Sequence, residues 1–342
     1  ICDQVAAITG GKVFCENGFE AKDVFVKDDR FATAKGEGAS ISAEGCIVIP
    51  GLVDIHFHGA AGGDISDGDE AGLHALAAYE ASRGITAVCP ATMTLSFEQL
   101  SAAMETAHSF DPACNEADLV GINLEGPYIS PSKVGAQNPE YVRNPDADEF
   151  KQLQSMADGL IKLVDIAPEE PGSDAFIEEM KDEVRISIAH SCADYDAARH
   201  AFEKGARHLT HLYNAMDPMH HRKPGPIPAA AERDDVTAEI IADGVHIHPS
   251  MVRLAFNMFG DDRMILISDT LRAAGLEDGT YDLGGQDVTV RGPEARIANG
   301  ALAGSVSDLM RCFRVAVKEM DIPLVSAVKA ATINPARAIR IE

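Results

Sequence analysis

Positive charge is scarce in this sequence: 29 Lys and Arg stand against 54 Asp and Glu, a formal net charge of −25. Such a chain is repelled by nucleic acid and by anionic membrane surfaces over a Debye length, so neither is expected as a partner. An anionic small molecule remains compatible if cationic groups gather in its pocket. Also lacking is any run near the ~18–20 consecutive apolar residues of a membrane span, and the first residues carry no basic segment, apolar segment and small-residue cleavage site. A soluble, cytoplasmic protein is the expectation. Paired cysteines are missing too: Cys2, Cys15, Cys46, Cys89, Cys114, Cys192 and Cys312 are odd in number, scattered, and never spaced CxxC. They are expected to be free thiols, mostly small core residues, in a reducing compartment.

What is present is an ordinary globular composition, 46% hydrophobic and 24% charged over 342 residues, enough for one large α/β domain and a minor one. Residues 1–50 read as short β segments separated by turns, among them Lys12–Phe14, Asp23–Lys27, Arg30–Ala34 and Cys46–Ile49. They are too few to close a core alone. From residue 51 onward, apolar runs alternate with helical patterns: Leu52–Phe57, Thr86–Ala91, Leu119–Glu125, Ile161–Ala167, Arg185–His190, His208–Tyr213, Ala238–Asp243 and Met264–Asp269. Helices are expected over Glu70–Arg83, Ser96–Phe110, Asp146–Ala157, Asp174–Glu183, Ala193–Lys204, Pro249–Phe259 and Ser305–Met320, with a weak sixth crossover at Pro228–Arg233. Residues 279–304 read as a β-hairpin insertion over the mouth.

Eight parallel strands with crossovers predict a (β/α)₈ TIM-like barrel, whose active site lies at the C-terminal strand ends. A doubly wound sheet would give the same alternation. The ionisable residues decide for the barrel, since Asp54, His56, His58, Glu125, His190, His211, Asp243, His246 and Asp269 all fall at or just beyond strand ends.

His56 and His58 are two apart at a strand end, so both imidazoles face one side and suit a shared metal. Glu125, His190 and His211 end three further strands. One carboxylate and two imidazoles leave a tetrahedral position open for water. Each alone has a plainer reading, a core histidine bonded to backbone; together they do not. Asp269 follows Ile-Leu-Ile-Ser and emerges at the barrel mouth, where it is either a helix N-cap or a general acid/base. Of His246 and His248, the former, which follows Asp-Gly, is taken as inward. His74, His108 and His200 fall in helices and read as surface residues.

Pro-Gly-Leu-Val-Asp-Ile-His-Phe-His-Gly, Leu-Glu-Gly-Pro-Tyr-Ile-Ser-Pro, His-Leu-Tyr-Asn-Ala-Met, Ala-Asp-Gly-Val-His and Ser-Asp-Thr-Leu-Arg-Ala-Ala-Gly resemble the motifs of N-acetylglucosamine-6-phosphate deacetylases, from about residue 10 to the end. The first marks the wider amidohydrolases; the second and third are more restrictive. The resemblance implies a barrel over 51–342, and a small β-sandwich domain, begun by 1–50, that is incomplete at the C-terminus because the strands completing it in relatives are missing after Glu342. It implies deacetylation of N-acetyl-D-glucosamine 6-phosphate by metal-activated water. Glu125, His190 and His211 would hold the principal ion, and His56 and His58 a second one bridged by Glu125. The metal, one or two ions, would be zinc first, with iron, manganese or cobalt as alternatives. Asp269 would be the general acid/base. Asn214, Ala215, Arg222 and His246 would bind the sugar phosphate, Arg222 in some relatives coming from the neighbouring subunit of a homodimer.

Two positions depart from the motifs: Gln137 stands where some relatives carry a carbonyl-polarising histidine, and Thr270 where alanine is common. An amide can donate the same hydrogen bond but cannot titrate. The fourth run ends Val-Asp-Ile-Ala-Pro, with no lysine to be carbamylated as a metal bridge. The competing readings are a deacetylase of the galactosamine epimer, another amidase or deaminase on this barrel, and a sugar-phosphate binding protein without catalysis.

Overall fold

The computed structural model describes residues 5–16, 18–28 and 30–342. The chain divides into two compact units, residues 1–51 and 52–342. In the larger unit the apolar runs form eight parallel strands: β1 (Leu52–Asp54), β2 (Ile85–Val88), β3 (Ile122–Leu124), β4 (Ile161–Ile166), β5 (Arg185–Ile188), β6 (His208–Leu209), β7 (Thr237–Ile241) and β8 (Met264–Ile267). From β3 to β8 each pairs with the next, and β1 pairs with β2. Between β2 and β3 the ladder is carried by two short pieces, Asp118–Leu119 on β2 and Ala91–Thr92 on β3. Closure comes from backbone bonds just past β8 and β1: Asp269 N–H to the His56 carbonyl at 2.9 Å and His58 N–H to the Thr270 carbonyl at 2.8 Å. The result is a curled parallel sheet of the TIM-like, α/β type.

Helices follow every strand: α1 (Glu70–Ser82), α2 (Phe97–Ser109), α3 (Ala147–Met156), α4 (Ser173–Met180), α5 (Tyr195–Lys204), α6 (Pro226–Ala231), α7 (Pro249–Phe259) and α8 (Leu309–Lys318), then α9 (Leu324–Ala331) and α10 (Ile333–Ala338). Their starts are set by caps that satisfy the otherwise unbonded first N–H groups: Asp69, Asp146, Asp194 and Asp308, and Ser96 with Gln99 in a reciprocal capping box. Two expected helices begin later for this reason. Asp194 caps α5, so Ala193 is outside it; Asp308 caps α8, and Ser305 is instead bridged to Thr270. One apolar cluster joins Val53, Ile55, Cys89, Leu163, Ile241, Ile265 and Ile267 to Ala338 and Ile339 at the end of the last helix. Every one of these side chains is buried, the larger ones each contributing about 1.5–3 kcal/mol by leaving water. A three-stranded antiparallel sheet, Gly279–Leu283, Gln286–Arg291 and Glu294–Ile297, stands between β8 and α8.

The smaller unit holds a four-stranded sheet, ordered Arg30–Ala32, Val24–Lys27, Val5–Thr9 and Ala39–Ser42, and a three-stranded one of Gly18–Ala21, Lys12–Cys15 and Ile47–Val48. Phe31, Ile41 and Ile47 are exposed, so these sheets leave part of their apolar surface uncovered.

The cysteine expectation needs correction. Cys15, Cys46, Cys89, Cys192 and Cys312 are free, but Cys114 is disulfide-bonded, and Cys2 lies outside the described residues. Of the free ones only Cys89 and Cys312 are buried. Scatter along a sequence carries no information on exposure, and Cys114 sits in the exposed turn after α2. Among the described residues no helix is long and apolar enough to cross a membrane.

Candidate metal centre and active site

The side chains singled out at strand ends are aimed by an unusual backbone. His190, His211 and Asp269 have φ of 43°, 25° and 51°, the left-handed region that costs a side-chain-bearing residue about 1–3 kcal/mol. Each turn is tied down by its own carbonyl, which accepts from Ser130, Asn214 and Ser305 N–H at 2.9, 3.0 and 2.7 Å respectively. The turns also end the strands early. β6 stops at Leu209, although the apolar run continues to Tyr213, because the chain reverses hand at His211, Tyr213 and Ala215. In the Leu-Glu-Gly-Pro motif, Gly126 has φ 79°, and a Cβ there would lie 2.0 Å from Thr94 Oγ1. Only glycine can follow Glu125 at this approach.

Four of these side chains converge on Glu125. His190 Nε2 lies 3.0 Å and His211 Nε2 3.1 Å from Glu125 Oε1, and the two nitrogens are 3.2 Å from each other. On its other oxygen, Oε2, Glu125 faces His56 Nε2 at 3.4 Å and His58 Nε2 at 3.2 Å. Asp269 Oδ1 closes the second group, 3.3 Å from His58 Nε2 and 3.8 Å from His56 Nε2. Glu125 therefore bridges two sets of donors, and all six residues are buried.

Whether a cation fits can be decided from the protons. His58 Nδ1 is 2.9 Å from the Ala91 carbonyl and His190 Nδ1 is 2.8 Å from the Lys133 carbonyl. A carbonyl only accepts, so both Nδ1 atoms carry hydrogen and both Nε2 lone pairs point inward when the rings are neutral. His56 is held the same way by Glu239 Oε2, 2.9 Å from its Nδ1, and its buried Nε2 has no hydrogen-bond partner. Inward lone pairs and two carboxylates with nothing positive between them are costly, and a divalent cation is the natural complement. Without one, protons fill the role. Burial opposes charge on His58, yet Asp269 and Glu125 push it up to about 10. Burial likewise opposes ionisation of Glu125, but His56, His190 and His211 hold it well below the usual carboxylate range.

The cluster forms the floor of a cavity of about 530 Å³. Its walls include Gln137, Asn214, Ala215 and His246, and from the inserted sheet Leu283, Arg296 and residues 301–304. Gln137 accepts from Thr94 N–H at 2.6 Å and donates to Glu125 Oε2 at 2.9 Å. Asp243 takes the Nδ1 side of His246 at 2.7 Å, leaving Nε2 for the cavity, while His248 caps α7 at the surface. Arg222 is not brought into this chamber by its own chain. It is exposed, with its guanidinium 2.7 Å from His221 Nε2. Asp54 also stays out, accepting from His56 N–H at 3.2 Å and from the Ser268 hydroxyl, and so linking β1 to β8.

Residues 47–342 match the amidohydrolase family model. The chain is 40% identical over 314 residues to the N-acetylglucosamine-6-phosphate deacetylase of Bacillus subtilis, covering 88% of this chain and 78% of that one. It is 34% identical over 298 residues to the N-acetylgalactosamine-6-phosphate deacetylase of Escherichia coli O157:H7, covering 86% and 79%. Among solved structures, the N-acetyl-D-glucosamine-6-phosphate deacetylase of Mycobacterium smegmatis, as a mutant in complex with N-acetyl-D-glucosamine-6-phosphate, superposes with a TM-score of 0.89 at 31% identity, covering 98% of this chain and 90% of that one. The chain belongs to the N-acetylglucosamine-6-phosphate deacetylase family of amidohydrolases.

Several residues of this deacetylase-family site escape a reading of strand ends. Glu239, inside β7, backs His56, and the Lys133 carbonyl backs His190. Lys133 and Arg296 are the cationic residues lining the chamber among the described residues. A signal did exist for Glu239, because an acid within the apolar stretch Thr237–Ile241 has to find a buried partner. For Arg296, inside a sheet with exposed faces, there was none.

Proposed function

We propose that the protein hydrolyses the acetamide of N-acetyl-D-glucosamine 6-phosphate to acetate and D-glucosamine 6-phosphate, with Glu125, His190 and His211 holding one divalent ion and His56, His58 and the bridging Glu125 a second. The observation that carries this reading is the convergence of four inward imidazoles on Glu125, with Asp269 beside them, at the floor of a chamber large enough for a sugar phosphate. Zinc is the first choice of metal; iron, manganese and cobalt suit the same donors. When bound, the cation supplies Lewis acidity, lowering the pKa of water and polarising the acetyl oxygen.

The rest falls to the chain. Asp269 takes the proton of the attacking water and returns it to the departing nitrogen. Gln137 spends one amide hydrogen on Glu125 and has a second for the developing oxyanion. The Ala215 N–H and His246, with Asn214 beside them, orient the sugar phosphate from the wall. The protein would act as a homodimer in the cytoplasm, where a dianionic sugar cannot leak through a membrane.

Acetate release is the direct test, measured with and without added divalent metal on phosphorylated and unphosphorylated N-acetylhexosamines of both epimers. Metal-dependent turnover of the gluco 6-phosphate supports the reading. Binding without acetate release, or faster turnover of the galacto epimer or of the free sugar, replaces it. The two ion sites should separate by mutation. His56→Asn combined with His58→Asn is expected to retain one equivalent of metal after dialysis, and Glu125→Gln to retain less than that double variant. If metal analysis gives the reverse, with Glu125→Gln fully loaded, the assignment of Glu125, His190 and His211 as the principal site is wrong.

A further inference from the structure

Glu239 lies within β7, fully buried, and takes no part in the proton steps above. Its carboxylate has three donors around it. His56 Nδ1 lies 2.9 Å from Oε2, His208 Nε2 2.9 Å from Oε1, and the backbone N–H of His211 3.2 Å from Oε2. Three donors face its two oxygens, the arrangement that holds a carboxylate as an anion. His56 and His211 belong to different halves of the cluster. A single carboxylate thus holds the imidazole of one half and the strained turn of the other.

Its partners differ from those of the remaining imidazoles. His58 and His190 rest on neutral carbonyls, and His211 Nδ1, though buried, has no hydrogen-bond partner. An anion behind Nδ1–H fixes the ring tautomer and draws that proton away, which makes Nε2 a stronger donor than a carbonyl would. His208 keeps the carboxylate from turning. Its own Nδ1 is anchored 2.6 Å from Thr237 Oγ1, and burial lowers its pKa so that the neutral ring donates through Nε2.

We propose that Glu239 is a positioning residue of the metal centre, fixing His56 as an Nε2 donor and the turn of His211, and so setting how tightly the ion at His56, His58 and Glu125 is held. This rests on the reading of the cluster as a divalent metal site, not on the identity of the substrate. Glu239→Gln keeps the shape: the amide oxygen can accept from His56, and the amide N–H₂ can face His208 after a tautomer change. What is lost is the charge. Metal affinity should fall about 10–100-fold at one of the two ions, the usual effect of removing such a partner.

The measurement is competition of zinc alone against a coloured chelator, with metal stoichiometry by elemental analysis and the fold followed by circular dichroism, no substrate being present. His208→Gln serves as the control, since its amide N–H₂ can still donate to Oε1 and the carboxylate stays on His56; zinc affinity within threefold of the parent is expected. A Glu239→Gln protein that binds both ions as the parent does overturns the proposal. So does a His208→Gln protein that loses as much affinity, because the network would then be merely structural. If Glu239→Gln does not fold, Glu239→Asp, which withdraws the charge by one methylene, is expected to weaken the same ion, and unchanged affinity there overturns it equally. A protein that follows this pattern but releases no acetate keeps the inference and loses the proposed reaction. A parent protein that binds no divalent ion loses both.

Discussion

Asp269→Asn is expected to lower acetate release by roughly 10²–10⁴-fold, the usual contribution of a general acid/base, while metal content and substrate affinity stay near those of the parent. The residue is poised for proton transfer by position and by charge. Its Oδ1 is 3.3 Å from His58 Nε2, its φ of 51° turns the side chain to the chamber, and it is buried. Burial pushes the carboxyl up, but His58 and His56 hold it below its ordinary value, so it is present as the base. Asparagine has nearly the same shape and cannot take a proton, which is why the effect should fall on kcat rather than on KM. Near-normal turnover would assign the proton to another group, and loss of metal from the variant would make Asp269 a ligand first.

Much of the barrel was legible because a buried parallel strand announces itself as a short apolar run and its crossover as a helical pattern. The eight runs coincide with the eight strands, but they overestimate their lengths, as at β6, where the chain turns left-handed to aim His211 inward. Hydropathy cannot see that turn. The residues that meet at Glu125 shared a readable property, an ionisable side chain at a C-terminal strand end. Residues that act through another residue lack it. Glu239 lies within a strand, and Lys133 supports His190 by its backbone carbonyl, a contact to which its side chain contributes nothing. Arg296 approaches from a sheet inserted after β8, and no periodicity of the barrel predicts its place.

The phosphate poses the remaining electrostatic problem. With a net charge of −25 the protein repels a dianion at long range, so affinity has to come from short charge-assisted contacts inside the chamber. Within one chain the supply is thin. Arg296 lies 2.7 Å from Glu294 and Lys133 2.8 Å from Asp217, each already partly neutralised. Arg222 has no carboxylate partner among the described residues and is exposed, which leaves it free to serve a neighbouring subunit in the proposed homodimer.

Arg222→Ala should therefore weaken kcat/KM for the 6-phosphate about 10–150-fold, as hydrogen bonds of about 1.5–3 kcal/mol to a charged group imply, and leave the unphosphorylated sugar nearly unchanged. The position of Arg222 outside its own chamber makes the prediction sharper, because in the proposed homodimer the effect would pass between subunits. In a mixture of Arg222→Ala and Asp269→Asn chains, each mixed dimer has one site with Asp269 from the first chain and Arg222 from the second. With random reassortment about a quarter of the sites are intact, so activity on the phosphorylated sugar should rise well above that of either variant alone. A mixture that only averages its components would place Arg222 in its own chain's site or in none. If Arg222→Ala loses both substrates equally, or neither, phosphate recognition passes to the cations that line the chamber. Arg296→Ala would then be the variant carrying the phosphate-specific loss, because Arg296 lines the same chamber as His246 and Ala215.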